Sequence, residues 1–343
     1  MKTIFILLAF TFLARIDVFS CTAFCLRNQE NIIVAKNLDW ETDQGFVMAN
    51  PSGIHKESFT LKGKVIEWTS RYPSLTFNQF GKEFPLGGMN GWGLAMEELN
   101  NERVELYLDS NLNQLNEFQI VQFVLDNCKS VKEAISLVEE IQQEAIVQSL
   151  HYLIADSTGV CAVIEFDGHG FKSTICTGSN YPVLSNNRYS ESLKYLRFFE
   201  GYGGNLPVVK RPGSNERFVY AVEMLNTFSN QNPVEYSFHA LDSIRQEDTR
   251  WSIVYDLKKK KIYFRFHACN RIKVFDMALI DFPSLEQTIG CNLANCSCLG
   301  VMHFSAISPE ENSGLLKNIS VEMDASIQKI LSRMAFYGNR FLK

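Results

Sequence analysis

The feature that most constrains this chain is a boundary near its start. A basic end at Lys2, an apolar run Ile4–Ala14 and a small-residue exit, Val18-Phe19-Ser20, stand directly ahead of Cys21. That is the layout of a secretory signal peptide (residues 1–20) removed after Ser20. The run is too short to span a bilayer as a stable helix, so no membrane anchor is expected. Cleavage leaves residues 21–343, read as a single domain, exported to the periplasm or secreted. Cys21 then becomes the first residue, with a thiol and a free α-amine on one Cα. An α-amine titrates near ~8 and can take the thiol proton and later return it to a leaving nitrogen. The rival reading is an exported lipoprotein or binding protein with a degenerate site, lipidated at Cys21, which would block both groups. Phe19 is bulky for a lipoprotein box, and Arg15 and Asp17 interrupt the apolar run.

Composition narrows the partners. A net charge of −5 provides no electrostatic footprint for nucleic acid or an anionic membrane. The 26 Phe residues suit a deep core and an apolar pocket. Setting Cys21 aside leaves an even number of cysteines, so disulfides are open to an exported chain. Cys291, Cys296 and Cys298 cluster and invite that reading. Zinc is the sharper alternative there, with His303 as the nearby fourth ligand, but the spacing lacks a matching ligand pair; disulfides or buried thiols fit better. Asn295-Cys-Ser and Asn318-Ile-Ser match the glycosylation pattern, which has meaning only in a eukaryotic host.

Periodicity sets the elements. Cys21–Leu26 and Asn31–Ala35 read as strands about a polar turn, and Trp92–Glu98 as another. Apolar spacing predicts a helix within Asn116–Cys128, and a second opening at Ser130 with a Ser130/Glu133 capping box. His151–Ala155 and Cys161–Phe166 read as strands, Arg217–Leu225 as a helix. Trp251–Leu257 and Lys261–His267 form a hairpin around the solvated Lys258–Lys260 turn, and Met323–Phe336 closes the chain as an amphipathic helix. Gly201-Tyr-Gly-Gly follows no strand and reads as a loop rather than a nucleotide cradle. Strands, helices and strands again, without a linker or repeat, predict an α+β fold of antiparallel sheets covered by helices.

Several motifs now carry a resemblance. Cys21-Thr-Ala-Phe24 with Asn37-Leu-Asp39 resembles the start of the choloylglycine hydrolase and penicillin V acylase family, N-terminal-nucleophile hydrolases of linear amides related to acid ceramidase. Gly88-Met-Asn-Gly-Trp-Gly-Leu-Ala-Met-Glu-Glu-Leu-Asn100 is similar to its Gly-Met-Asn-x-x-Gly-Leu segment, Leu184-Ser-Asn186 to its Leu-Thr-Asn, and Glu216-Arg217-Phe218 to its Ser-Arg-Phe. The order agrees along nearly the whole chain after Ser20. The resemblance implies a four-layer αββα sandwich and hydrolysis of an N-acyl amide through a thioester, without metal or organic cofactor. It implies Cys21 as nucleophile, Asp39 holding the nucleophile and its amine, Asn100 and Asn186 binding the oxyanion or the amide, and Arg217 setting the local field. Lys36 stands where the family has Arg, keeping the charge and losing the planar fork. The expected partner is a small N-acyl amide with an apolar acyl group: bile-salt conjugate, penicillin V, acyl-homoserine lactone or another N-acyl amine. The chain remains open to homo-oligomerisation.

Overall fold

A computed structural model describes residues 21–341, apart from 102, 103, 110, 230, 297 and 322. The expected signal segment, residues 1–20, lies outside the described residues. Two large antiparallel sheets face each other. The first has six strands in the order Val183–Leu184, Thr22–Arg27, Ile32–Asp39, Thr249–Asp256, Lys261–Phe266 and Cys269–Asp276. The second has nine: Gly170–Ile175, Cys161–Asp167, Leu150–Ala155, Ala95–Asn100, Gly87–Asn90, Ser74–Asn78, Phe46–Asn50, Ile289–Asn292 and Ser305–Ala306.

The strands form where both faces can be buried. Ile32–Asp39 is buried at every position. Side chains alternate between faces along a strand. Asn37 therefore points outward, where its amide donates to the Leu241 carbonyl at 2.8 Å and accepts from Ser252 Oγ at 2.8 Å. Its neighbour Lys36 points inward, toward the other sheet. Inside the sandwich Phe77 meets Trp251, Tyr255 and Phe264, with centroids 5.3–6.2 Å apart, so aromatic area closes the gap between sheets.

Helices cover both outer faces. Ser214–Thr227 packs on Thr22–Arg27, and Pro233–Ser243 on Ile32–Asp39 and Thr249–Asp256. Gln119–Asn127 packs on Gly87–Asn90 and Ala95–Asn100, and Val131–Val138 on Cys161–Asp167. Helix, sheet, sheet, helix is the expected order of layers. Among the described residues no helix is long and apolar enough to cross a membrane.

Several boundaries differ from the sequence reading. The strand expected at Trp92–Glu98 starts only at Ala95, because Trp92 and Gly93 belong to a turn. Asn90 builds that turn: its side-chain oxygen accepts from Trp92 N at 3.0 Å and Leu94 N at 3.2 Å, and its amide donates to the Leu125 and Cys128 carbonyls. Gly93 has φ +75, and an added Cβ would meet the Leu257 carbonyl at 2.3 Å. The Gly-Met-Asn-x-x-Gly-Leu motif is thus a tight turn between two strands of the second sheet, pinned to a helix end. Ser130 does cap its helix through Glu133 N, but the Glu133 carboxylate accepts from Lys129 N, so the capping box is incomplete. The closing helix runs Ala325–Tyr337, with Asp324 rather than Met323 at its start. The helices Tyr189–Leu196, Pro233–Ser243 and Pro309–Ile319 were not anticipated from periodicity.

The cysteine cluster resolves differently from a self-contained group. Cys298 is bonded to Cys269, at the head of the last strand of the six-stranded sheet, while Cys291 and Cys296 remain thiols. Among the described residues no group of His, Cys, Asp and Glu is placed to hold a metal ion.

Candidate active site

Cys21 stands just before the strand Thr22–Arg27 and is buried, 4% exposed. Its Sγ lies 4.0 Å from the Asp39 carbonyl oxygen. Pairing of Thr22 with Asn37 and Ala23 with Lys36 brings the Asn37-Leu-Asp39 motif alongside the cysteine. A small cavity opens at the sulfur, lined by Cys21, Leu38, Trp40, Phe80, Leu86, Glu98, Asn100 and Gln148. It offers about 10 Å³, room for the centre of roughly one water molecule.

Arg217 ties the other expected residues to the cysteine. It lies in the first turn of the Ser214–Thr227 helix, and its side chain reaches inward, 1% exposed. Its Nε donates to Thr22 Oγ1 at 2.9 Å. One terminal nitrogen donates to the Cys21 carbonyl at 3.4 Å and to Asn186 Oδ1 at 3.1 Å, and the other to the Pro212 carbonyl. Asn186 follows the short strand Val183–Leu184. Its backbone N–H donates to Ser214 Oγ at 2.9 Å, and its side-chain amide donates to the Asn100 carbonyl at 3.2 Å. Asn100 ends the strand Ala95–Asn100 and borders the cavity. One chain of hydrogen bonds therefore runs from Cys21 through Arg217 and Asn186 to Asn100.

Asp39 ends the strand Ile32–Asp39. A bulge in the neighbouring strand aligns Thr249 with Asp39 and Trp251 with Leu38, which turns the Thr249 hydroxyl onto the carboxylate at 2.5 Å. Burial pushes the Asp39 carboxyl up to about 7, against the downward pull of Thr249 and Arg217.

Lys36 is fully buried against two carboxylates. Its Nζ lies 3.1 Å from Glu97 Oε2, 3.2 Å from Glu98 Oε1 and 3.5 Å from the Leu86 carbonyl. Burial alone would discharge the amine, but Glu98 and Glu97 outweigh it and hold the ammonium above its ordinary range. Glu97 accepts from the Tyr255 hydroxyl, and burial pushes its carboxyl up to about 7. Burial likewise pushes the Cys21 thiol up to about 12, and Lys36 is the strongest group drawing it back. Lys36, rather than Arg217, is thus the cation that acts most on the thiol. Arg217 holds the backbone around it.

Sequence reasoning assigns no site role to Glu97, Glu98, Thr249, Tyr255 or Gln148. One signal was available: two consecutive glutamates inside a strand flanked by Leu94, Met96 and Leu99 must be buried, and buried carboxylates need a partner. Gly87 was readable only in space. It pairs with Glu97 across the sheet, and a Cβ there would sit 2.1 Å from Glu97 Oε2.

Two antiparallel sheets between helices, with a cysteine buried at the head of an inner strand, place this fold among those built like the N-terminal-nucleophile hydrolases. Residues 21–214 match the profile of the linear amide C-N hydrolases, choloylglycine hydrolase family, and the chain belongs to that family. It is similar to a penicillin V acylase of Pectobacterium atrosepticum, with 25% identity over 355 residues that cover 86% of this chain and 93% of the relative. The structure of penicillin V acylase from Agrobacterium tumefaciens superposes with a TM-score of 0.69 at 23% identity, covering 80% of this chain and 92% of that one. A variant of conjugated bile acid hydrolase from Clostridium perfringens superposes at 0.65 with 18% identity, covering 82% and 99%. At those identities the superpositions establish the shared fold.

Proposed function

We propose that this chain hydrolyses the C–N bond of a small N-acyl compound with Cys21 as the nucleophile, and that it does so only after removal of residues 1–20. The carrying observation is the convergence on one cavity of the Cys21 sulfur and Asn100, linked through Arg217 and Asn186. Burial pushes the thiol up to about 12, so attack at neutral pH needs a base in contact. The amine freed at Cys21 supplies one. In the first step the thiol proton passes to this amine while sulfur bonds to the acyl carbon. Asn100 or Asn186 donates to the developing oxyanion, a donor worth roughly 3–4 kcal/mol. The C–N bond then breaks, the leaving nitrogen takes the proton, and water cleaves the thioester.

Leu38, Trp40, Phe80 and Leu86 make the cavity wall apolar, which suits an apolar acyl group. Trp40 meets Phe80 edge-on and Phe80 stacks on Phe118 at 4.2 Å, so the wall is an aromatic stack. A substrate pocket holds about 300 Å³ or more, so that stack must give way to admit an acyl chain. Burial of the sulfur favours this reading over lipidation, since a diacylglyceryl group on Cys21 would have to fill the sandwich interior. Export with cleavage after Ser20 belongs to the same proposal.

The test is intact-mass measurement of the exported protein followed by incubation with a panel of N-acyl amides. A free Cys21 terminus, a transient acyl adduct on it, and loss of turnover in Cys21→Ala are expected. Turnover near wild type in Cys21→Ala refutes the mechanism.

A further inference from the structure

We propose that Glu98 is a positioning residue of this reaction: paired with Lys36 in the wall of the Cys21 cavity, it sets how much of the Lys36 charge reaches the thiol. This rests on the reading of Cys21 as nucleophile. Lys36 has two carboxylate partners in different situations. Glu97 is turned toward Tyr255 and passes over Gly87, held by the sheet on both sides. Glu98 borders the cavity itself, in company with Cys21 and Asn100, and lies 3.2 Å from Nζ. An ammonium is a point charge on a flexible stem and takes its aim from its partners. Here the partner nearest the reacting sulfur is Glu98.

The other charged or titratable groups around this pair are accounted for. Asp39 is engaged by Thr249, and the charge of Asp248 acts on its carboxyl. Arg217 faces the Cys21 and Asn186 oxygens. Tyr152 sits across the sheet from Glu98, with its hydroxyl committed to the Glu117 carbonyl. Lys36 acts on the thiol in one direction and Glu98 in the other, Lys36 more strongly. Neutralising Glu98 while keeping its shape therefore leaves Lys36, still held by Glu97, to favour the thiolate.

The experiment is the pH profile of Cys21 alkylation by iodoacetamide in the mature protein, read at the Cys21 peptide by mass spectrometry. In Glu98→Gln the midpoint is expected to fall by about one pH unit or more, as for a charge removed within several ångströms in a partly screened interior. Glu98→Asp, which restores the charge, is expected to return it toward wild type. An unchanged or raised midpoint in a Glu98→Gln protein that melts like the parent overturns the proposal. Should Glu98→Gln not fold, the triple variant Lys36→Met, Glu98→Met and Glu97→Gln removes the pair and neutralises Glu97, so that no lone charge is left. Its midpoint is expected to rise, and an unchanged one overturns the proposal equally. Alkylation reads the thiol alone, whereas the nucleophile reading fails on turnover by Cys21→Ala, so the two failures are distinguishable.

Different atoms carry a second inference. Cys291 and Cys296 hold their sulfurs 3.0 Å apart, beside the Cys269–Cys298 disulfide. We infer that they form a second disulfide site, closed by a disulfide oxidant such as oxidised glutathione. Cys296, the more exposed, attacks the oxidant and releases one thiol. The Cys291 sulfur then attacks Cys296 in the mixed disulfide and releases the second. Two protein S–H bonds become one S–S bond, and the oxidant accepts both electrons and both protons. The product ties the strand Ile289–Asn292 to the segment that leads to Cys298. Treatment of the purified protein with oxidised glutathione, blocking of free thiols and digestion without reduction tests it. A Cys291–Cys296-linked peptide is expected, with Cys269–Cys298 as internal reference. Recovery of both cysteines alkylated, or of a stable glutathione adduct on Cys296, overturns the inference.

Discussion

Arg217→Lys is the substitution that weighs the site most directly. The guanidinium is buried and serves Thr22 Oγ1, the Cys21 and Pro212 carbonyls and Asn186 Oδ1 from one planar fork. An ammonium on a similar stem keeps the charge but cannot reach acceptors spread around that plane. At least two buried acceptors lose their donor, at about 1–3 kcal/mol each, so a loss near 4 kcal/mol is expected. The damage does not stop at stability. Asn186, released from Arg217, also loosens from the Asn100 carbonyl, and both amides drift from where the oxyanion forms. The assay pairs denaturant unfolding with steady-state kinetics on any accepted N-acyl substrate. A drop in kcat of a hundredfold or more should accompany the lost stability, since about 2.7 kcal/mol of transition-state stabilisation corresponds to that factor. Stability within about 0.5 kcal/mol of wild type, together with unchanged kcat, would reduce Arg217 to an ordinary helix charge and refute the reasoning.

Other expectations are briefer. Asn100→Ala should lower kcat about a hundredfold with little change in KM, whereas Asn186→Ala should cost less in kcat and more in KM; unaltered kcat in Asn100→Ala would remove it from the site. An extra residue left ahead of Cys21 should abolish turnover while the thiol still alkylates, and full activity there would show that the amine is not the base. Asp39 and Glu97 keep their protons to about pH 7 when folded, against roughly 4 when unfolded. Between those values the folded state binds the extra protons, so stability should fall as pH rises from about 4 to about 7 and level off above. Asp39→Asn should flatten that slope by up to about 1.4 kcal/mol per pH unit, and urea unfolding at pH 5, 6 and 7 that shows no flattening contradicts the assignment. Gly87→Ala should destabilise the protein by roughly 3 kcal/mol, because Glu97 must leave Lys36 to clear the new Cβ; a loss under about 0.5 kcal/mol would mean the carboxylate moves freely.

Much of the architecture was legible before any coordinates. The unbroken apolar run Ile32–Ala35 and the hairpin around Lys258–Lys260 follow from side chains that must face a core on one side and a helix on the other. Arg217 and Asn186 were readable because their motifs lie in order, and the structure brings Arg217 within hydrogen-bond reach of both Cys21 and Asn186. Helices such as Pro309–Ile319 escaped notice because their apolar face is narrow and the surrounding polarity reads as loop.

What the linear sequence determined was local: which segments could bury a face, and which residue would carry an amine and a thiol together. What the tertiary structure decided was pairing. Lys36 and Glu98 are far apart in the chain, as are Glu97 and Tyr255, and Cys269 and Cys298. No periodicity couples such positions, because a strand's pattern specifies which face is buried and leaves open what it is buried against. The field at the Cys21 sulfur belongs to that second kind of information. It arises where two sheets meet, and it depends on charges that neither sheet could hold without the other.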